Sequence, residues 1–203
     1  MTEPRSPRFF SRFPRGGAAS ALLALLLFFP ACSAGGDEGG SDPLSCTLNT
    51  GFSGRGSAVG TIILQTASTS CGQLSLNVVF TGISKVFTVG FDITYPTAAF
   101  AFDGFTQGPL LKQGSPSMPP FFSVTEPSHG RVAVFASRFS PDGSVDAAGD
   151  TVLLTLRFRA VALGSGPVVF DLSPTPVQDQ VLDETGGAVS ATFANGTNLA
   201  QVY

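Results

Sequence analysis

From residue 60 onward the apolar residues of this 203-residue chain tend to fall on every second position, and that spacing leaves few folds open. A period of two belongs to an extended strand with one face buried and the other wet. Over residues 73–80, Leu74, Leu76, Val78 and Phe80 share one side, with Gln73, Ser75 and Asn77 on the other. Phe87, Val89, Phe91, Ile93 and Tyr95 oppose Thr88, Gly90, Asp92 and Thr94, and Leu154, Leu156, Phe158 and Ala160 oppose Thr155, Arg157 and Arg159. Val168, Phe170 and Leu172, then Val189, Ala191 and Phe193, repeat the pattern. Shorter runs at 61–65, 98–102, 121–125 and 131–139 bring the expected total to about nine strands.

Turn clusters separate these runs: Thr81-Gly82, Gln113 to Pro116, Ser140 to Gly143, Gly164 to Pro167, Gly186-Gly187 and Asn195-Gly196. Glycine and proline supply the dihedrals that chain reversals need. No segment after residue 31 carries a helical 3.6-residue stripe. Short strands, frequent turns and no helix predict an all-β, antiparallel jelly-roll sandwich. With 19 copies in the chain, phenylalanine is the expected filler of its core.

The first 31 residues read differently. Arg5, Arg8, Arg12 and Arg15 precede an apolar stretch from Ala18 to Phe29 and then Pro30-Ala31-Cys32. A basic head, an apolar stretch and small residues at its end make a secretory signal, too short for a stable span of about 20 residues. Cys32 directly after Ala31 resembles the lipobox of bacterial lipoproteins, which implies an acylated Cys32 as the new N-terminus. Ordinary cleavage nearby, giving a secreted protein, is the alternative. Residues 33–42 are Gly, Ser, Ala and acidic residues, a flexible tether with nothing to bury. The expected divisions are a signal peptide (1–31), a tether (32–43), an N-terminal strap (44–57) and a sandwich domain (58–203).

With Cys32 lipidated, Cys46 and Cys71 remain as a pair in an oxidising compartment, where disulfides persist. Closing that loop would stabilise the fold by roughly 3 kcal/mol. Two unpaired buried thiols are the alternative. After residue 31 the chain holds seven basic against thirteen acidic residues, a net −6. That charge removes the counterion-release term on which nucleic-acid binding depends.

Residues that carry chemistry are few. His129 is the only histidine, and no Gly-x-Ser-x-Gly elbow presents a nucleophile to it, so it reads as a loop residue. Gly54-Arg55-Gly56 lacks the Lys-Ser/Thr of a phosphate loop. Asp142, Ser144, Asp146 and Asp150 crowd one loop and are weak Ca²⁺ candidates, because Ala147 stands where glycine is needed and no glutamate closes the loop. Asp179, Asp183 and Glu184 read as surface charge rather than a glycosidase pair. No cofactor is expected.

Several strands in order carry a resemblance. Val86 to Pro96 is a strand ending in a Tyr–Pro corner; Ala99 to Leu111 is a short strand leading to Gly-x-Leu-Leu; Gly130 to Ala136 is a third. Gly149 to Ala160 and Gly164 to Leu172 complete the series. Together they resemble a cohesin-type domain, of the same superfamily as the cellulose-binding sandwich modules. The resemblance implies a jelly roll of about nine strands and a binding role rather than an enzyme. The best-known members hold a dockerin, a small calcium-binding helical module, on one sheet face. The expected partner is therefore a protein at the cell envelope, a dockerin-like module among the candidates, with polysaccharide as the alternative ligand. Sugar recognition stacks rings on exposed Trp or Tyr; here Trp is 0 and Tyr is 2, which tilts the expectation toward protein.

Overall fold

The structure, a computed structural model, describes residues 58–70, 72–173, 179–196 and 199–202. The expected leader, tether and strap lie outside the described residues, as do Cys32, Cys46 and Cys71.

In chain order the strands are β1 (Thr61–Ser70), β2 (Gln73–Thr81), β3 (Ile83–Val86), β4 (Thr88–Thr94), β5 (Phe100–Gln107), β6 (Phe121–Ser128) and β7 (Arg131–Ser137). Then follow β8 (Val145–Ala147), β9 (Thr151–Ala160), β10 (Gly164–Pro167), β11 (Val169–Phe170), β12 (Gln180–Leu182), β13 (Thr192–Ala194) and β14 (Leu199–Val202). One sheet has the order β13-β1-β2-β9-β5; the other has the order β11-β4-β7-β6, with β12 also on β4. Two short ribbons, β3-β8 and β10-β14, accompany them. Among the described pairings β1 and β13 run parallel, Thr61 beside Thr192, and the rest are antiparallel.

The alternation in the sequence becomes the division between core and solvent. Leu74, Leu76, Val78 and Phe80 of β2 face inward, as do Leu154, Leu156 and Phe158 of β9. Val89, Phe91 and Ile93 of β4 meet them from the other sheet with Val132, Val134 and Ala136 of β7. Aromatic rings join the layers. Phe91 stands 5.5 Å from Phe170 in the same sheet, and Phe170 stands 5.2 Å from Phe193 of the other sheet, both pairs edge-on. Tyr95 lies 5.1 Å from Phe158. Each phenyl ring fully buried in this way contributes on the order of 3 kcal/mol of transfer free energy.

The jelly roll is thus present, but with short strands the periodicity did not mark. Gly164 to Pro167 reads as a turn, yet it pairs as β10 with β14. Glycine is required there by close approach: a Cβ on Gly166 would stand 2.6 Å from the Pro96 side chain. The run expected at 189–193 forms a strand only over Thr192–Ala194, and the one expected at 98–102 begins later and continues to Gln107.

Candidate docking face

The outer face of the β4–β7–β6 sheet is built in rows. Thr88, Ser137 and Phe121 lie side by side, then Gly90, Phe135 and Ser123, then Asp92, Ala133 and Thr125. Val132, Val134 and Ala136 occupy the inward phase of β7, so Phe135 is forced outward and is 44% exposed. In β6 two phenylalanines are adjacent, so one must take each face. Phe122 packs inward near Phe105, while Phe121 points out, 47% exposed. The two outward rings stand 6.2 Å apart at 59°. Met118 and Phe139 are further exposed apolar side chains in the segments that flank β6 and β7.

Those flanking segments are tied together by a buried cation. Arg138 is 4% exposed, and its guanidinium donates to the carbonyls of Leu111 (2.8 Å), Gln113 (2.9 Å) and Asp142 (3.1 Å). The Asp142 carboxylate in turn accepts the Ser117 N–H at 2.7 Å, and hydrogen bonds from the Ser117 side chain and N–H hold its carboxyl below the usual range.

At the far end of the hairpin Glu126 clasps three elements. Its Oε1 accepts from the Tyr95 hydroxyl and from the Gly130 N–H at 3.2 Å. The Tyr95 oxygen also accepts the Phe102 N–H at 3.4 Å. The tyrosine hydroxyl, with the Gly130 N–H and His129 adding to it, holds the Glu126 carboxyl below its ordinary value, and burial raises Tyr95. His129 itself stands in the turn, with Nδ1 3.4 Å from Glu126 and its side chain 73% exposed.

Beside the rings the same face carries charge. Asp92, 1% exposed, pairs with Arg131, and Arg131 Nε lies 3.9 Å from Asp171. The Asp92 N–H donates to Asp179 Oδ1 at 3.3 Å. Asp179 is therefore not the surface charge its loop position suggests. Burial, with Asp92 and Asp171 adding repulsion, pushes its carboxyl up to about 6.

The weak Ca²⁺ candidates do not converge. Asp142 serves the Ser117 loop; Asp146 accepts the Lys85 N–H at 2.9 Å; Asp150 accepts the Thr81 hydroxyl at 2.7 Å. Each carboxylate is spent on a different chain segment. Among the described residues no group of three or more His, Cys, Asp or Glu side chains is placed to hold a metal ion. Asp183 closes its own turn, accepting the N–H groups of Thr185 and Gly187, and Glu184 accepts the Ser144 N–H at 3.0 Å.

No protein-family model and no curated protein matches the sequence. Solved structures do. The chain is similar to a type II cohesin domain from the cellulosome of Acetivibrio cellulolyticus, with a TM-score of 0.55 at 10% identity over 70% of this chain and 95% of that one. It is similar to the sixth cohesin of scaffoldin B from that organism, solved in complex with a dockerin, with a TM-score of 0.52 at 20% identity over 68% and 96% of the two chains. A type II cohesin from an Acetivibrio cellulolyticus cohesin–X-dockerin complex gives 0.53 at 13% identity over 66% and 93%. Two stacked sheets and these likenesses together give the chain the fold of a cohesin domain.

Proposed function

We propose that this chain is a protein-binding module that docks a helical, dockerin-like partner on the outer face of the β4–β7–β6 sheet. One observation carries the reading: Phe121 and Phe135 stand together, each nearly half exposed, on an open face of a cohesin-fold domain. An apolar pair in water, rimmed by Thr88, Ser123, Thr125 and Ser137, has the composition of an interface core within a polar rim. Cohesins of this fold have been solved with dockerins, which supports the same class of partner here. The role is binding rather than catalysis.

The leader supports export, and Cys32 is the proposed lipid attachment, with 33–42 as the spacer from the membrane. Cys46 and Cys71 form the proposed disulfide of the exported chain. Polysaccharide is the rival ligand. Tyr95, whose ring would suit a sugar, is 5% exposed and belongs to the core.

The test is a capture experiment from the envelope fraction of the parent cell. The domain is the bait, compared with a bait carrying Phe121→Ser and Phe135→Ser. A protein held by the first and lost by the second supports the reading. Retention that ignores both substitutions, or saturable retardation in a polysaccharide gel, overturns it. Labelled fatty acid entering the wild-type chain but not Cys32→Ser tests the anchor.

A further inference from the structure

One edge of the β4 sheet is closed by side chains where backbone pairing is interrupted. β11 covers Ile93 and Thr94, and β12 covers Thr88 to Gly90. Between them two aspartates serve the backbone of Asp92. The Asp171 N–H donates to its carbonyl at 2.9 Å, and its own N–H donates to Asp179 Oδ1. Asp179 thus stands in for the missing strand partner.

The charges there do not balance. Asp92 from β4, Asp171 after β11 and Asp179 before β12 share one guanidinium, Arg131 from β7. Residues 174–178 carry no titratable side chain. Two buried oxygens, Asp92 Oδ1 and Asp179 Oδ2, have no hydrogen-bond partner among the described residues. A buried carboxylate oxygen without a donor is costly, and Asp179, buried and crowded by two other carboxylates around one guanidinium, favours taking up a proton.

We infer that Asp179 is a proton-operated latch: protonated, it seals the β12 edge onto Asp92, and ionised, it lets that edge loosen. The protonated Oδ2 becomes a donor among carboxylates that have a single guanidinium between them, and Oδ1 keeps the Asp92 N–H. Because the folded carboxyl titrates above its ordinary 3.8, the stabilisation is complete below that value and is lost as pH rises through about 6. The latch does not depend on what docks next to it.

Hydrogen-exchange mass spectrometry on the full chain tests this, comparing protection at about pH 5 and about pH 7.5 after correction for intrinsic rates. Segments that contain Asp92 and β12 should be roughly tenfold better protected at the acid pH, with the β2–β9 ladder as internal reference. Asp179→Asn, neutral throughout and still an acceptor, should stay protected at both. Asp179→Ala, which leaves the Asp92 N–H without its acceptor, should be poorly protected at both. Equal wild-type protection at the two pH values, or an Asn variant that still follows pH, overturns the latch.

Discussion

The two outer faces of the sandwich differ in what interrupts their polarity. On the β1–β2–β9–β5 sheet Thr155 donates to Asn77 at 2.7 Å, Gln73 reaches Asp103 at 3.3 Å, and Arg157 donates to the Asp103 carbonyl at 3.4 Å. Those side chains satisfy one another across the strands, as a water-facing sheet surface is expected to do. On the β4–β7–β6 sheet the corresponding positions carry Phe121 and Phe135, whose exposed rings gain nothing from water. Both faces are built from the same alternation. The difference teaches that a wet face filled with mutual hydrogen bonds serves the fold, while one that spends two large rings on solvent is the face proposed for a partner.

The contrast can be broken most severely at Arg138. Replacing it with Met strands three carbonyls behind the docking face and should cost about 3 kcal/mol in urea unfolding. A loss under about 1 kcal/mol would mean that the loops around Met118 hold themselves. Next in size, Phe121→Ala with Phe135→Ala should weaken a captured partner by roughly 2 kcal/mol, near 30-fold by calorimetry. The same pair should move stability by no more than about 0.5 kcal/mol. If stability falls instead, the rings belong to the core and the two faces are alike.

Acid sharpens the comparison at the hairpin end. Glu126 is ionised more readily in the fold than its ordinary value of 4.5 implies, so its contribution is present above that pH and lost as acid titrates the folded carboxyl. Glu126→Gln should therefore flatten the acid limb of a stability–pH curve. An unchanged limb would remove the clasp from the account. The smallest effect belongs to the polar face: Thr155→Ala should cost about 0.5 kcal/mol of stability and leave partner affinity unchanged.

Much of this architecture was legible in the residues. The runs at 73–80 and 151–160 gave the inner phases of β2 and β9 because hydrophobic alternation is local. β12 was not legible, because Gln180–Leu182 is too short to show a period and exists by pairing with β4. Asp179 was misread for a related reason: the N–H it accepts belongs to Asp92, 87 positions away. The ring pair had a signal that went unused. Phe121-Phe122 cannot both face inward, and Phe135 falls out of phase with Val132, Val134 and Ala136.

That doublet also bears on how the hairpin finds its alignment. A slip of β6 by a single residue would trade one phenyl ring for another of identical size, leaving Val124 as the apolar side chain of that strand to lose its inward place. A second lock lies at the other end of the strand. The Tyr95–Glu126–Gly130 contacts can form in one alignment only, which makes a carboxylate at the hairpin's far end a key that fixes which ring faces outward.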